Sequence, residues 1–308
     1  MQIYTITLNP AYDIHANALS FQEGCENLAE ITSRLAGGKG VNISRALCAD
    51  GTDNTAVVVL GKDNADAFKQ DLMQAGVDVR FLARPGRIRE NLTLHCPGKP
   101  ETRISFTGFA LDDEILQDVL DVLTVDAQTV VTFSGRIATG MSVEKVKKFL
   151  LELKKRGAKL VLDSKSLSVE DIKDIKPWLI KPNQEELSDY ANCNVKTLKE
   201  ALEQAKRYFA NQAECVMVSM GEQGALLLAD GKAYMAVPPK VQAVSTVGAG
   251  DSTIAGFLAA YSMGRTPKLC LKRAVAYGTA ACLTEGTLPP QIADIEAIYL
   301  QTKVYECD

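Results

Sequence analysis

The order of apolar segments along the chain constrains the fold more than any other feature of the sequence. Runs of strand length that are apolar throughout, such as residues 55–60, alternate with segments of helical period, such as residues 142–156. Strands that are apolar on both faces are typical of a parallel sheet that helices cover on both sides. The sequence therefore predicts an α/β fold with a mostly parallel central sheet.

The same pattern gives the predicted elements. The strands are expected at residues 3–8, 55–60, 129–133, 159–162, 178–181, 215–219 and 225–229, and the helices at residues 40–50, 64–75, 113–123, 142–156, 196–210, 250–263, 268–283 and 294–302. Gly157 follows Arg156 as a stop signal for the helix that begins at residue 142.

Two regions, residues 10–36 and 86–107, interrupt this alternation of strands and helices. They hold alternating, strand-like segments with no helix between them. We interpret them as insertions that build a small sheet outside the main one. Such a sheet is well placed to act as a lid that excludes water from a reaction. The expected organisation is a single α/β domain over residues 1–308 with this lid.

Composition excludes several classes of protein. The 308 residues are 46% hydrophobic and 23% charged, with a net charge of −4 and no long basic run, so nucleic acid is not the expected partner. Two histidines and eight cysteines without a Cys-x-x-Cys pair disfavour a zinc site. Scattered thiols, and no visible secretory leader or membrane-length apolar run, indicate a cytoplasmic protein.

A glycine-rich segment at residues 245–257 carries the strongest functional signal. Gly248 and Gly250 lie at the start of an apolar helix. The first amide groups of a helix have no acceptor within it, so they can hold the negative charge of a phosphate. Asp251 would lie in the first turn, where a carboxylate can accept a proton from a substrate hydroxyl. The alternative is an ordinary glycine-rich helix start. The segment is neither a Walker loop nor a dinucleotide-binding fingerprint.

Two further segments point to a polyol ligand. Residues 37–42 (Gly-Gly-Lys-Gly-Val-Asn) open a predicted helix, and Asn42 offers both a donor and an acceptor to sugar hydroxyls. Asp13 follows the first strand, at the edge of the sheet where ligands usually bind in open α/β folds. A tight turn and a surface Asp are the alternative interpretations of these two segments.

With these segments in order, the chain closely resembles the ribokinase-like carbohydrate kinases, often called the PfkB family. Residues 37–42 and the segment Thr-Val-Gly-Ala-Gly-Asp-Ser at 246–252 resemble its two signatures. Residues 181–186 (Lys-Pro-Asn-Gln-Glu-Glu) look like its Asn-x-x-Glu element, and residues 219–224 look like its nucleotide loop. Three segments resemble the branch that phosphorylates sugar phosphates: residues 7–13, Arg89-Glu90-Asn91 and residues 284–287 (Thr-Glu-Gly-Thr).

The resemblance implies a three-layer α/β core with a small β lid, ATP and Mg²⁺ as cofactors, and a homodimer formed through the lids. It implies Asp251 as the catalytic base, with Gly248, Ala249 and Gly250 as an anion hole. The implied sugar-phosphate contacts are Asp13, Gly38, Lys39, Asn42, Arg89, Asn91, Ser134 and Arg136. The implied nucleotide contacts are Lys181, Asn183, Ser219, Gly221, Gly224 and Thr246, and Asn183 with Glu186 would organise Mg²⁺ through water.

The match departs from the branch at three places. Residues 134–140 (Ser-Gly-Arg-Ile-Ala-Thr-Gly) carry Arg136 where a serine is usual, and residues 25–28 lack the basic lid residue that usually contacts the substrate phosphate. Lys165 stands where the branch has a small residue. Either Arg136 or Lys165 supplies the lost charge, or the substrate is not a standard phosphohexose.

The function that these features predict is ATP-dependent phosphorylation of a sugar phosphate, with fructose 1-phosphate converted to fructose 1,6-bisphosphate. The alternatives are a tagatose-6-phosphate or fructose-6-phosphate kinase, or a kinase for a sugar without a phosphate. A sugar- or nucleotide-binding regulator on the same fold is the alternative outside enzymes.

Overall fold

A computed structural model describes residues 1–307 of the chain. Its main sheet has ten strands: β1 (Gln2–Thr7), β4 (Thr55–Gly61), β5 (Val79–Arg84), β8 (Thr129–Ser134), β9 (Lys159–Asp163), β10 (Leu179–Ile180), β11 (Cys215–Ser219), β12 (Ala225–Ala229), β13 (Lys232–Val237) and β14 (Lys303–Cys307). Their order across the sheet is β14-β13-β12-β11-β10-β9-β8-β1-β4-β5.

The predicted mostly parallel sheet is confirmed, with an antiparallel extension along one edge. Every pairing from β5 through β11 is parallel. Beyond β11 the sheet continues as antiparallel strands β12, β13 and β14. A single 3₁₀ turn at Gly221–Gln223 joins β11 to β12, and so short a connection allows only an antiparallel pair.

Ten helices within the described residues cover the main sheet. They are α1 (Lys39–Ala49), α2 (Ala65–Gln74), α3 (Ile115–Asp121), α4 (Val143–Lys155), α5 (Val169–Ile175), α6 (Gln184–Ala191), α7 (Leu198–Phe209), α8 (Ala249–Ser262), α9 (Pro267–Ala281) and α10 (Ile292–Gln301). The sequence pattern did not predict α5, α6, β5, β13 or β14. No helix within residues 1–307 is both long and apolar enough to cross a bilayer.

Alternation along the strands divides the core into two layers. Ile3 of β1 belongs to a buried cluster that includes residues of α1, α8, α9 and α10, whereas its neighbour Tyr4 belongs to a second cluster that includes residues of α3, α4 and α7. A strand whose successive side chains are all buried requires helices on both faces of the sheet. The chain thus forms the expected three layers.

A second, separate sheet has four strands in the order β3-β2-β6-β7. The strands are β2 (Ala11–Asn17), β3 (Glu30–Gly37), β6 (Arg89–His95) and β7 (Thr102–Ser105). Three of them fall within the two segments that interrupt the βα alternation of the sequence, residues 10–36 and 86–107, and β3 extends one residue beyond the first segment. We refer to these four strands as the small sheet.

Close packing of α8 against α9 fixes the direction of α8. Gly256 lies at the contact, where a Cβ atom would approach the Arg273 carbonyl oxygen to 2.7 Å. The residues of α8 from Asp251 to Ala260 are buried, and Ile254, Phe257 and Leu258 belong to one core layer. The first turn of α8 is therefore held rigidly at the edge of the main sheet.

Truncation of this layer should destabilise the fold. Leu258 is fully buried in α8, whereas Leu300 in α10 is 79% exposed. We expect Leu258→Ala to lower the free energy of unfolding by about 3 kcal/mol, because it removes buried methyl groups and leaves a cavity. Leu300→Ala should change it by less than about 0.5 kcal/mol. Urea denaturation followed by circular dichroism measures both, and equal effects would contradict this packing.

Candidate active site

A cleft of about 1370 Å³ lies where the small sheet faces the carboxyl ends of the main-sheet strands. The structure brings most of the residues selected from the sequence to its walls. They are Asp13, Gly38, Lys39, Asn42, Arg89, Asn91, Lys181, Asn183, Ser219, Gly221, Gly224, Thr246, Gly248, Ala249, Gly250 and Asp251. Three selected residues, Ser134, Arg136 and Glu186, lie outside this lining.

Asp251 lies in the first turn of α8 and is 6% exposed. Gly248 caps the helix with a φ of 77°, a left-handed conformation that favours glycine. The first amide groups of the helix have no acceptor within it and carry partial positive charge. Asp251 Oδ2 accepts a hydrogen bond of 2.8 Å from Asn42 Nδ2 in α1. A carboxylate and free amide groups therefore meet at one point of the cleft.

Burial raises the pKa of Asp251 to about 7, although the positive charge of Lys39 opposes the shift. The nearby Asp163 carboxylate raises it further. A carboxyl group with such a pKa is half protonated at neutral pH and is suited to accept and release a proton there.

A buried charge array lies beside Asp251. Asp163 at the end of β9 is 2% exposed, and its carboxylate lies 2.9 Å from Lys39 Nζ and 3.5 Å from Lys181 Nζ. Burial favours the neutral acid, but the two lysines hold the pKa of Asp163 below its usual value. Burial disfavours the charge of Lys39, but Asp163 and Asp251 raise its pKa above the ordinary range. The array therefore keeps two cations at the floor of the cleft.

The small sheet contributes a polar group to the opposite wall. Asn91 Nδ2 donates to Asp13 Oδ1 at 2.9 Å, and Arg89 Nη1 donates to Asn91 Oδ1 at 2.9 Å. Gly37 leaves room for this group, because a Cβ atom there would lie 2.1 Å from Asp13 Oδ2. Burial raises the pKa of Asp13, and the hydrogen bond from Asn91 opposes the shift. These donors and acceptors suit the hydroxyl groups of a sugar.

Another part of the cleft lining is partly apolar. Ser219, Gly221 and Gly224 line it at the turn between β11 and β12. Residues 238–241 and Cys282 also line the cleft, and sequence reasoning did not select them. A cleft of this volume, lined by apolar side chains as well as by lysine cations, fits a nucleotide whose phosphates point toward Lys181.

Asn183 and Glu186, selected as organisers of Mg²⁺, make a local structural contact. Asn183 Oδ1 accepts from the Glu186 amide at 2.8 Å, and Glu186 Oε2 accepts from the Asn183 amide at 2.9 Å. This capping box begins α6. Within residues 1–307, no group of three His, Cys, Asp or Glu side chains is arranged to hold a metal ion. The side-chain oxygens of Asn183 and Glu186 fit a hydrated Mg²⁺ that is held mainly by water and phosphate, which is how Mg²⁺ commonly binds.

The two residues expected to replace the missing basic lid residue differ in their surroundings. Lys165 Nζ lies 3.5 Å from Glu185 and is 42% exposed, so its charge is already paired. Arg136 is exposed, and its positive charge helps burial to lower the pKa of Arg89. Ser134 is buried at the end of β8. Proximity to Arg89 favours Arg136 over Lys165 as an additional phosphate contact.

Sequence reasoning missed three residues of the site. Asp163 follows a predicted strand directly, and this position at the strand end was the available signal. Arg103 of β7 lines the cleft and donates to Thr246 Oγ1 at 3.2 Å. Thr287 lies beside the Asp13 carboxylate. Thr287 belongs to residues 284–287, whose resemblance to the phosphosugar branch was a signal, but no contact was assigned to it. For Arg103, no local pattern indicated the partner.

The geometry suits phosphoryl transfer to a hydroxyl group. A carboxyl group with a pKa near neutrality can take the hydroxyl proton, and the α8 amide groups with two lysines can stabilise negative charge on a phosphoryl group. Such reactions depend mostly on positioning and charge neutralisation, which a pre-formed cleft supplies.

Comparison with known proteins points the same way. The model of the family described as pfkB family carbohydrate kinase matches residues 6–293. The 1-phosphofructokinase of Vibrio cholerae is 33% identical over 288 residues, 92% of this chain and 90% of that protein. The 1-phosphofructokinase of Escherichia coli K12 is 33% identical over 301 residues, 96% of each chain.

Solved structures of Escherichia coli phosphofructokinase-2 share the fold. One, a complex with substrates and products, has a TM-score of 0.89 and 27% identity over 97% of this chain and 99% of that chain. Another, a tetrameric inhibited form, has a TM-score of 0.87 and 27% identity over 97% of this chain and 98% of that chain.

Removal of the candidate base should abolish turnover. We expect Asp251→Asn to lower kcat at least about 1000-fold, because the amide cannot accept the proton. In the unmodified protein, kcat/KM should rise with pH and level off above about 7, because the carboxyl group must be deprotonated. Steady-state assays of ADP formation from pH 5.5 to 9 measure both effects. A variant that retains turnover would contradict this role.

The same substitution should stabilise the fold at alkaline pH. Because burial raises the pKa of Asp251 from 3.8 to about 7, the native state binds this proton more tightly than the unfolded state. Stability from this group is full below pH 3.8 and is lost as the pH rises through about 7. Asp251→Asn should therefore have a higher unfolding temperature than the unmodified protein at pH 8.

Proposed function

Because the chain belongs to the pfkB family of carbohydrate kinases, we propose that it phosphorylates fructose 1-phosphate with ATP, giving fructose 1,6-bisphosphate and ADP. The observation that carries this proposal is the buried Asp251 carboxyl, hydrogen-bonded to Asn42 and placed among the free amides of α8. The curated relatives named 1-phosphofructokinase support the choice of substrate, since they match nearly the full chain.

The reaction follows from this placement. The acceptor hydroxyl lies between Asp13 and Asp251, and its proton passes to the Asp251 carboxylate. The hydroxyl oxygen forms a bond to the γ-phosphorus of ATP while the bond from that phosphorus to the bridging oxygen of ADP breaks. Lys39, Lys181 and the amides of Gly248, Ala249 and Gly250 balance the charge that spreads over the transferring group.

ATP occupies the part of the cleft lined by Ser219, Gly221, Gly224 and residues 238–241, with its phosphates toward Lys181 and the α8 amides. A Cβ atom built on Gly250 would lie 3.5 Å from Lys181 Nζ, so the lysine head and this loop face a common space. Mg²⁺ neutralises phosphate charge when it is bound, and Asn183 and Glu186 are the residues that would hold its water shell. All eight cysteines are free, which fits the reducing cytoplasm in which we place the reaction.

Arg89 is the main candidate for the phosphate group already present on the sugar. It lines the cleft beside Asn91 and Asp13, and burial with the nearby charge of Arg136 lowers its pKa. The positive charges of Arg89 and Arg136 repel each other, and a bound phosphate dianion would offset this repulsion. This arrangement favours phosphorylated over free sugars.

Substrate choice tests the proposal. We expect kcat/KM for fructose 1-phosphate to exceed that for free fructose at least about 100-fold, because two charge-assisted contacts are lost without the phosphate. Arg89→Met should reduce this preference about 10-fold or more, and Arg136→Ala should reduce it less. A panel with fructose 6-phosphate, tagatose 6-phosphate and fructose, assayed by coupled ADP detection, measures the order.

The matched control is Arg156→Ala, since Arg156 is 38% exposed and pairs with Glu152 far from the cleft. Equal rates with phosphorylated and free fructose would overturn the assignment of a sugar phosphate as substrate. A preference for fructose 6-phosphate would replace fructose 1-phosphate by that alternative substrate. Absence of turnover on every sugar would overturn the kinase function itself.

We further propose that the chain forms a homodimer through the small sheet. The face turned away from the cleft carries Ile104, which is 40% exposed, and Ile31, which is 62% exposed. Leu19 and Leu28 in the adjoining loop are 95% and 85% exposed. Apolar side chains clustered on one surface indicate a protein interface, and the same face of a second copy would cover them.

Sedimentation velocity tests this assembly. The unmodified chain should sediment as a dimer, and Ile104→Glu should sediment as a monomer because it buries a charge in the interface. Leu300→Glu, at an exposed position of α10, should remain dimeric. A monomeric unmodified protein, or an unaffected Ile104→Glu variant, would contradict this interface.

A further inference from the structure

One row of polar side chains on the small sheet lies beyond the proposed sugar contacts. In the strand register, His15 pairs with Thr93, and Thr93 pairs with Arg103. This row is two residues along from the row of Asp13 and Asn91, so it projects from the same face. Two residues of strand correspond to about 7 Å. The polar face that holds the sugar thus continues toward the catalytic loop.

Arg103 joins the small sheet to the loop that precedes α8. Its Nη2 lies 3.2 Å from Thr246 Oγ1 and 2.6 Å from Glu101 Oε2. The Arg103 side chain is 46% exposed, and Arg103 lines the cleft. Thr246 lies two residues before Gly248, the cap of α8. This contact therefore connects the outer wall of the cleft to the start of the anion hole.

The only two histidines of the chain, His15 and His95, form a chain of contacts that ends at Glu101. His15 Nδ1 lies 3.0 Å from His95 Nε2, and the rings are stacked with centroids 5.3 Å apart. His95 Nδ1 lies 3.7 Å from Glu101 Oε1, the carboxylate that also holds Arg103. His15 is 4% exposed and packs against Gly286. The charged groups that act on His15 are His95, Glu101, Arg103 and Glu285.

We propose that Arg103 is a positioning residue that fastens the small sheet to the catalytic loop through Thr246, oriented by Glu101 and the His15–His95 pair. With this contact made, the small sheet covers the cleft and the loop keeps its α8 amides aimed at the transferring phosphoryl group. The inference rests on the proposed kinase function, because it concerns the same site.

The histidine pair makes this contact sensitive to acid. A hydrogen bond between two imidazoles needs at least one neutral ring, and burial lowers the pKa of His15, which favours its neutral form. As the pH falls, protonation of His15 adds a positive charge that attracts Glu101 and repels Arg103, so it competes with Arg103 for the carboxylate. The hold of Arg103 on Thr246 is therefore strong at neutral pH and weak at acid pH.

A double-mutant cycle tests the contact. We expect Arg103→Ala and Thr246→Val each to lower kcat/KM about 10-fold, and the double variant to be no worse than the more severe single one, because both remove the same interaction. Arg103→Lys should recover part of the loss, since an ammonium can still donate to Thr246. Arg156→Ala is the matched control and should be unchanged. Multiplicative losses in the double variant would overturn the proposal.

Two further readouts separate positioning from a general structural effect. The ratio of kcat/KM between the unmodified protein and Arg103→Ala should fall toward 1 as the pH is lowered below 6.5, because the pKa of His15 lies below that ordinary value; a ratio independent of pH would contradict the role of the histidine pair. Comparison at each pH cancels the titration of Asp251, which both proteins share.

Hydrogen exchange of residues 244–250 gives a readout that needs no turnover. Without ligand, the amide hydrogens of these residues should exchange several-fold faster in the Arg103→Ala variant than in the unmodified protein. The unfolding temperature of the variant should be unchanged. Unchanged exchange would overturn the proposal. If no sugar is phosphorylated but exchange accelerates, the proposed function fails while the contact stands.

Discussion

The hydrogen bond from Asn42 to the buried carboxyl group of Asp251 is the contact on which the site depends. It joins the first helix of the chain to α8, across 209 residues of sequence. A carboxyl group removed from water strongly favours its neutral form, and the lysines next to Asp163 only partly offset this cost. Close packing of α8 against α9 keeps the group in place. The cost of burial gives Asp251 a pKa near neutrality, so this carboxyl group can act as a base at neutral pH.

The charge array beside Asp251 has a complementary role. Asp163 holds Lys39 and Lys181 in position, so that both cations are available before any ligand binds. Fixed charges in a site with little water stabilise a transferring phosphoryl group without reorganising during the reaction. The small sheet would complete the enclosure, since it brings Asp13 and Arg103 over the same cleft. Base, cations and cover thus come from separate parts of the chain that meet at one edge of the sheet.

Sequence patterns predicted the parts of the molecule whose signals are local. The fully apolar runs gave the buried strands, and the glycine-rich segments gave the helix starts that line the cleft. The strand β5 was missed because Arg80 and Arg84 interrupt its apolar pattern. The helix α6 was missed because the capping box of Asn183 and Glu186 was not recognised as a helix start.

Long-range contacts were beyond the reach of these patterns. Asp163 and Lys39 are 124 residues apart, and Arg103 and Thr246 are 143 apart, so only the folded chain shows that they meet. The alternation of β7 indicates that Arg103 shares a face with its strand neighbours, but not what lies opposite. Arg103 also shows that the small sheet does contribute a basic side chain to the cleft, although not from residues 25–28.

A crystal structure with fructose 1-phosphate and a non-hydrolysable ATP analogue tests the central claim most directly. The account predicts an acceptor hydroxyl about 3 Å from an Asp251 carboxylate oxygen, with the terminal phosphoryl group facing the amides of Gly248, Ala249 and Gly250. A sugar bound with its free hydroxyls turned away from Asp251, or a terminal phosphate outside the reach of these amides, would contradict it.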